Sequence, residues 1–326
     1  MEEDIEFLVT KYTQRAKTAL DQIKEQSVVE SGPVQLLKEG AGEGPAWHPE
    51  LGLLFSGHGG INRRHHDGTL SNWRKDAGTN GLLFDRKGRL VACEPGQRRV
   101  TRTGLDGTIT VLTEGYKGAP YNQPNDLAID SKGRIYFSDP KYGPRTNMEL
   151  KDANGREVEG VYRIDPDGTV TRVITHEADR PNGLLITPDD RYLYVADNNN
   201  NSIGGSRTLL RFNLSADGSV DTKSRRVIYD WQTGRGPDGM IADEEGRLYV
   251  AGGRNKPVVP FETADRHVGG VYVFSPDGRL IDLIRIPRDE VTNCTFGGPD
   301  KRTLFITAGG SLWSARIRAK GVTLFP

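Results

Sequence analysis

Cysteine, long apolar runs and an excess of charge of one sign are all scarce in this sequence. Two cysteines in 326 residues, Cys93 and Cys294, are too few for a disulfide framework. Basic and acidic side chains number 44 each, so the chain has no overall field for holding nucleic acid or an anionic membrane. No apolar run approaches the roughly 18 residues that a membrane-spanning helix needs. These absences argue against a disulfide scaffold, a nucleic-acid-binding protein and a membrane protein.

The N-terminus also lacks the layout of a secretion signal, because it opens on the acidic run Glu2-Glu3-Asp4. We therefore expect a soluble protein. A cytoplasmic location is favoured, and the periplasm is the alternative if an export signal has been removed. The sequence does not indicate the oligomeric state.

Glycine, in contrast, is abundant: 40 glycines and 18 prolines predict many tight turns rather than long helices. The exception is the N-terminus, where apolar residues recur at intervals of three and four and predict one amphipathic helix within residues 1–30. This helix is expected to pack on the body as a cap or tether or, alternatively, to bind a partner. Its apolar positions are Ile5, Leu8, Val9, Tyr12, Ala16, Ala19, Leu20 and Ile23.

A repeated unit organises the rest of the chain. Its clearest copy runs over residues 124–137: a polar pair, Asn125-Asp126, a short apolar strand, a turn from Asp130 to Gly133, and a returning strand. Three further copies have turns that start at Asp85, Thr187 and Asp243. Two looser copies have turns that start at His48 and Gly298.

A second series of turns, built around Asp-Gly or Lys-Gly pairs, alternates with the first. Glycine suits such turns because it adopts positive φ without a Cβ clash. Two hairpins in each of six units predict an all-β chain, a six-bladed β-propeller with four-stranded blades over residues 31–326. The glycines of the second series are Gly68, Gly107, Gly168, Gly218, Gly278 and Gly321.

The ring of blades is expected to close through both termini, which would remove exposed sheet edges. Residues 34–38 have no blade of their own to begin, so they should pair with the last sheet. That sheet is predicted to contain residues 303–306, 312–317 and 322–325.

Five residues before each turn of the first series lies a carboxylate or a primary amide. In a propeller the inner strands converge on a central channel, so these positions should form a ring of oxygen atoms. Asn-Gly and Asp-Gly pairs are also turn formers, and this alone would explain three of the six. The six positions are Glu43, Asn80, Asn125, Asn182, Asp238 and Asn293.

A cluster of hard oxygens that includes two carboxylates, Glu43 and Asp238, suits one divalent cation. Calcium, magnesium or manganese fits such oxygens better than a metal that prefers thiolates. The sequence therefore predicts a divalent metal in the channel.

Five motifs in order resemble those of the gluconolactonase, regucalcin and senescence-marker-protein family, over about residues 34–318. The part from Asn80-Gly81-Leu82 to Val100 is most similar to bacterial gluconolactonases. The resemblance implies hydrolysis of sugar-acid lactones at a single divalent metal. The motifs are Glu43-Gly44-Pro45-Ala46-Trp47, Asn125-Asp126 with Ser138-Asp139-Pro140, Pro181-Asn182-Gly183, Gly236-Pro237-Asp238-Gly239 and Phe296-Gly297-Gly298-Pro299-Asp300.

The resemblance also selects among the six ring positions. It implies that the residues matching Glu43, Asn125, Asn182 and Asp238 hold the metal, and that Asn80 and Asn293 line the site as substrate or outer contacts. Calcium is the expected ion, with magnesium, manganese, zinc and iron as alternatives.

In such a site the metal would polarise the lactone carbonyl while a carboxylate helps a water molecule attack. Asp238 or Asp126 could be that base, although strand alternation would aim Asp126 away from Asn125. The loops that follow the second strands should rim the pocket and supply substrate contacts. The three loop residues expected to bind substrate are Tyr142, Arg145 and His267.

Two other functions remain open from the sequence. One is a promiscuous organophosphate or phosphotriester hydrolase that uses the same metal site. The other is a non-catalytic, metal-stabilised propeller that binds a partner. Motifs for serine-triad or nucleotide chemistry are not found in the sequence.

Overall fold

The computed structural model describes residues 27–324, together with Thr13. The predicted N-terminal helix lies outside these residues, apart from Thr13. No helix among the described residues is long and apolar enough to cross a membrane. The first strand begins at Val29, and nearly all the regular structure that follows is β.

Six four-stranded antiparallel sheets form a six-bladed propeller, as the repeats predict. The chain starts with β1 (Val29–Leu37), and the first blade contains β2 (Glu43–His48), β3 (Gly52–Gly57), β4 (Gly60–Arg64) and β5 (Leu70–Arg74). The second blade contains β6 (Leu82–Phe84), β7 (Leu90–Glu94), β8 (Arg99–Thr103) and β9 (Ile109–Thr113). A small hairpin, β10 (Gly115–Tyr116) and β11 (Ala119–Pro120), precedes the third blade, which contains β12 (Leu127–Ile129), β13 (Ile135–Asp139), β14 (Gly160–Ile164) and β15 (Val170–Ile174).

The other three blades repeat this order, with the innermost strand first. Their strands are β16 (Pro181–Ile186), β17 (Tyr192–Asn198), β18 (Arg207–Leu214) and β19 (Val220–Asp230); β20 (Met240–Ala242), β21 (Leu248–Gly252), β22 (Gly270–Phe274) and β23 (Leu280–Arg285); and β24 (Val291–Gly297), β25 (Thr303–Ala308) and β26 (Ser311–Ile317). A short 3₁₀ helix, Pro95–Gln97, follows β7.

The sixth blade joins the two ends of the chain. Strand β1 pairs antiparallel with β26, with Val29 opposite Ile317 and Leu37 opposite Leu312. The prediction that the N-terminal strand completes the last sheet is therefore confirmed. The same sheet shows that the predicted strand over residues 322–325 is wrong for its described part, residues 322–324, because β1 already fills the fourth position.

The turns of the first series close as hairpins at the far end of the inner strands. Asp130 Oδ1 accepts hydrogen bonds from the backbone N–H groups of Lys132 and Arg134, and Gly133 completes the turn at φ 79°. Asp85 and Asp243 make the same bonds in their blades. Because positive φ at this position favours glycine, the Asp-x-x-Gly-Arg pattern has a local physical cause.

The core is a series of apolar layers between neighbouring blades. Tyr136 of the third blade, for example, packs in one buried cluster with Leu193 and Phe212 of the fourth. Middle strands such as β13 and β21 are buried throughout, because a blade has another sheet on each face.

The lower half of the central channel is an apolar cavity of about 100 Å³, lined by inner-strand residues of all six blades. The C-terminal residues Val322, Thr323 and Leu324 also line it. The Val322 N–H donates to Ala242 O of the fifth blade at 2.9 Å, so this segment crosses the channel floor instead of extending a sheet. The floor of the channel is therefore mostly apolar.

Candidate metal centre and active site

The six ring positions all lie where the inner strands begin, at the end of the channel opposite the apolar floor. Three of them are held by the adjacent second strand: the N–H groups of Asn80, Asn125 and Asp238 donate to Cys93 O, Ser138 O and Ala251 O at 2.8–2.9 Å. Four of the six side chains are buried, namely Asn125, Asn182, Asp238 and Asn293. The structure thus brings the predicted ring together at one mouth.

Glycines that follow ring residues let neighbouring blades meet at the ring. A Cβ on Gly183 would lie 2.1 Å from Asp238 O, and one on Gly239 would lie 2.0 Å from the Asn293 side chain. A Cβ on Gly44 would likewise lie 2.1 Å from Asn80 O. A Cβ on Gly81 would lie 2.7 Å from Asn125 O, so all three Asn-Gly and Asp-Gly pairs are explained by close approach of the next blade, rather than by a turn.

Four ring side chains carry a buried oxygen that has no hydrogen-bond donor within the described part of the chain. These atoms are Oδ1 of Asn80, Asn125, Asn182 and Asp238. An unsatisfied buried acceptor costs about 1–3 kcal/mol, so four in one channel call for a ligand that takes up their lone pairs. Amide and carboxylate oxygens are the donors that calcium and magnesium prefer.

Glu43 adds a carboxylate to this group. Its Oε2 accepts the Gly44 N–H at 2.6 Å. Burial, together with the nearby carboxylates of Asp238 and Asp126, raises the pKa of Glu43 well above its usual value. Like charges therefore crowd the channel, and a cation bound among them would relieve the repulsion.

Asp126 also lies in the channel, one residue further along the inner strand than Asn125. Its Oδ1 accepts the Leu127 N–H at 2.8 Å, and its Oδ2 accepts Asn293 Nδ2 at 3.2 Å. Asn293 belongs to the sixth blade and Asp126 to the third, so this bond crosses the channel. Burial, together with the nearby charge of Asp238, raises the pKa of Asp126 to about 7.

The residues present therefore fit a divalent cation, because the available ligand atoms are carboxylate and amide oxygens. No group of three or more His, Cys, Asp or Glu side chains among residues 27–324 is arranged to hold a metal by itself. Any cation at the ring would accordingly depend on the amide oxygens as well as on the carboxylates.

Comparison with known proteins identifies the family. The sequence profile of the SMP-30/Gluconolactonase/LRE-like region matches residues 41–310. The chain belongs to this family. The gluconolactonase of Zymomonas mobilis is 30% identical over 282 residues, which cover 84% of this chain and 71% of its own.

Two further relatives agree with this assignment. A 6-deoxy-6-sulfogluconolactonase of Pseudomonas putida is 29% identical over 275 residues, which cover 82% of each chain. The solved structure of XC5397 from Xanthomonas campestris, described as a gluconolactonase, is 32% identical and superposes with a TM-score of 0.72. That match covers 87% of this chain and 89% of the other.

Among the mouth residues of this family member, Tyr142 reaches the ring. Its hydroxyl oxygen accepts Asn182 Nδ2 at 2.5 Å, and its ring lies 5.6 Å from the Arg180 guanidinium. Because the Asn182 side-chain N–H donates to the Tyr142 hydroxyl oxygen, the unpartnered Asn182 Oδ1 can accept a ligand in the channel. The phenolic hydrogen of Tyr142 remains available to a ligand, since burial raises the Tyr142 pKa well above its usual value.

Arg145 and His267 lie further out. Arg145 pairs with Glu159 and, at 2.9 Å, with Asp179, on the wall of a polar cavity of about 620 Å³ between the third and fourth blades. The His267 ring contacts Tyr229 of outer strand β19 edge-on at 5.9 Å. The structure therefore brings Tyr142 to the ring but places His267 near an outer strand.

One residue next to the ring was missed from the sequence. Arg235 Nη2 contacts Asp238 Oδ2 at 3.0 Å, and this contact holds one oxygen of a predicted ligand. Burial raises the pKa of Asp238 to about 6, while the Arg235 charge works in the opposite direction. The only sequence signal was that Arg235 precedes Asp238 by three residues, and this spacing is not typical of any particular interaction.

Proposed function

We propose that this chain is a divalent-cation-dependent lactonase that opens sugar-acid lactones, with an aldonolactone as substrate. The gluconolactonase relatives support lactone hydrolysis itself. We propose the metal, its ligands and the sugar in addition. The observation that carries it is the set of unpartnered buried oxygens that converge with three carboxylates at one mouth.

The proposed ligands are Glu43, Asn125, Asn182 and Asp238. Calcium is the first choice because the donors are all oxygens and half of them are neutral amides, and magnesium or manganese would be accepted by the same chemistry. When bound, such an ion supplies Lewis-acid stabilisation of negative charge on the lactone carbonyl oxygen. Asn80, whose Oδ1 is also unpartnered, would contact the substrate beside it.

Asp238 is the better placed of the two predicted bases. It lies at ring level, where Arg235 holds its Oδ2 at 3.0 Å and its buried Oδ1 has no donor among the described residues. In the proposed step the Asp238 carboxylate takes a proton from the attacking water. Asp126 lies one residue deeper and accepts a hydrogen bond from Asn293 across the channel, so its role would be to hold Asn293 and to add negative charge.

Tyr142 would supply a hydrogen-bond donor beside Asn182. With its oxygen held by Asn182, its hydroxyl hydrogen can point only away from that amide, towards a bound lactone. Donation there would favour the ring oxygen as it leaves with the developing charge. Arg145, which is committed to two carboxylates, would contribute to the outer pocket wall.

The test is hydrolysis of gluconolactone by protein stripped with chelator and then reloaded with calcium. We expect a rate above the spontaneous reaction that requires the cation, and we expect Asp238→Ala to abolish it. Asp277→Ala, which removes an exposed turn carboxylate from the same blade, is the matched control and should leave the rate unchanged. Equal rates for wild type and Asp238→Ala on several sugar lactones would contradict the proposal.

Asp126→Asn separates the two bases. If Asp238 is the base, the variant should keep kcat within about tenfold of wild type, because general-base catalysis contributes about 10²–10⁴-fold. A loss of more than about 10²-fold for Asp126→Asn in protein that still binds calcium would assign the base to Asp126 instead.

A further inference from the structure

Arg235 lies at the centre of a chain of alternating charges beside the ring. Its guanidinium contacts three carboxylates: Nη2 reaches Asp238 Oδ2 at 3.0 Å and Glu290 Oε2 at 2.8 Å, and Nη1 reaches Glu262 Oε1 at 3.3 Å. Arg235, Glu262 and Asp238 are all buried. One planar side chain therefore links a predicted ligand to two residues outside the ring.

A second arginine fixes the outer partners of this chain. Arg254 Nη1 contacts Glu262 Oε2 at 2.9 Å and Glu290 Oε1 at 2.7 Å. Each of the two glutamates is thus held at both oxygens, one by Arg235 and one by Arg254. Because its anchors are fixed in this way, Arg235 has little freedom to follow Asp238 if that side chain turns.

The effect on Asp238 is to leave one of its two oxygens free. Oδ2 accepts from Arg235, whereas the buried Oδ1 has no donor among the described residues. Rotation about the Cβ–Cγ bond would exchange the two oxygens, and the Arg235 contact opposes that rotation. The carboxylate is therefore presented to the channel through one defined atom.

We infer that Arg235 is a positioning residue for the cation site: held by Glu262, Glu290 and Arg254, it fixes Asp238 so that Oδ1 faces the ring. The inference rests on the proposed function, since it concerns a cation held by Asp238. Partners that orient ligands in this way commonly change metal affinity by about 10–100-fold when they are removed.

Electrostatics alone would give the opposite expectation. A guanidinium next to a cation site repels the cation, so its removal would tighten binding if charge were all that mattered. Positioning predicts weaker binding instead. The sign of the change in affinity therefore separates the two effects.

The test is calcium binding to the purified full chain, measured by titration calorimetry, with melting temperatures recorded in chelator. We expect Arg235→Met to raise the Kd for calcium about 10–100-fold. Arg235→Lys keeps the charge but offers one nitrogen where the guanidinium uses two, and it should give a smaller rise of several-fold. Arg247→Met is the matched control, because Arg247 pairs with Asp243 at 2.7 Å in the same blade but at the far end of the channel.

An Arg235→Met Kd equal to or below that of wild type would overturn the inference, and so would an equal rise in Arg247→Met. If Arg235→Met does not fold, as its melting curve in chelator would show, Arg235→Lys decides, and a wild-type Kd in that variant overturns the inference. Failure of the wild-type protein to bind calcium would instead count against the proposed function.

Discussion

The close approach of blades at the ring can be tested by adding a single methyl group. Gly183 lies in β16, directly after Asn182, and a Cβ there would lie 2.1 Å from Asp238 O and 2.9 Å from Gly239 Cα. Ordinary contact begins near 3.4 Å, so Gly183→Ala must move the start of the fifth blade by about 1.3 Å. Both atoms belong to the backbone, so no side-chain rotation can relieve the contact.

This displacement has two measurable consequences. Overpacking of this kind costs about 1–3 kcal/mol, which lowers Tm by roughly 2–6 °C at about 2 °C per kcal/mol. It also moves Asp238 away from Asn182, and a misplacement of about 1 Å at a reacting centre can cost about 10²-fold in rate. Differential scanning calorimetry and the lactonase assay measure the two effects.

Gly42→Ala is the matched control for this variant. Gly42 precedes Glu43 at the same mouth, its φ is not positive, and its Cβ would meet only Ser56 O at an ordinary 3.5 Å. Its Tm and rate should stay near wild type. If Gly183→Ala also keeps the wild-type Tm and kcat, the glycine serves only as a turn former and the argument from close approach is wrong.

Three further predictions concern pH and more distant positions. In protein freed of metal by a chelator, burial raises the pKa of Asp126 to about 7 and that of Asp238 to about 6, so the folded state binds more protons than the unfolded state between about pH 4 and pH 7. Tm should therefore fall as the pH rises through that range, and it should recover when calcium is added at pH 7.5. A Tm that does not change with pH would contradict this prediction. Asp139→Ala should lower the free energy of unfolding by about 2–4 kcal/mol in urea titrations, because it leaves the buried N–H of Asn122 and the half-buried N–H of Gln123 without an acceptor. A loss below about 1 kcal/mol would refute the reasoning. Gly321→Ala, whose Cβ would lie 1.9 Å from Phe296 Cγ, should lower Tm but leave kcat unchanged, since the clash is at the channel floor; a large loss of kcat would show that the floor and the mouth are coupled.

The blades could be predicted from the sequence because their signals are local. An Asp-x-x-Gly turn such as Asp130 to Gly133 makes its bonds within five residues, and short apolar strands flank it. Six copies of a local signal are enough to fix the architecture. The family profile over residues 41–310 and the solved relatives agree with that result.

The strand predicted over residues 322–325 is wrong at residues 322–324 because the local sequence signal there is ambiguous. Lys320-Gly321 looks like the other turn pairs, but the strand that completes the sixth blade comes from Val29–Leu37, nearly 300 residues earlier in the chain. Gly321 instead lets the chain pass over Phe296. Only the closed ring shows that the fourth position is already occupied.

The convergence of the six ring positions could be predicted from the sequence, but the side chains that contact them could not. Glu43 to Asn293 share one offset from a repeated turn, and that offset is visible in the sequence. The contacts of Arg235 are not, because Glu262 and Glu290 come from separate loops of the fifth and sixth blades. The bond from Asn293 to Asp126 likewise joins opposite blades, so it follows from ring closure and not from spacing.

The most direct test of the central claim is to locate the cation. A crystal of the protein loaded with calcium or manganese should give one strong anomalous peak at the mouth, about 2.3–2.6 Å from the Glu43 carboxylate and from Oδ1 of Asn125, Asn182 and Asp238 for calcium. A shorter soak with an aldonolactone should then place a substrate oxygen against the same peak. An empty ring in crystals of protein that still hydrolyses lactone, or a peak bound elsewhere, would contradict the account.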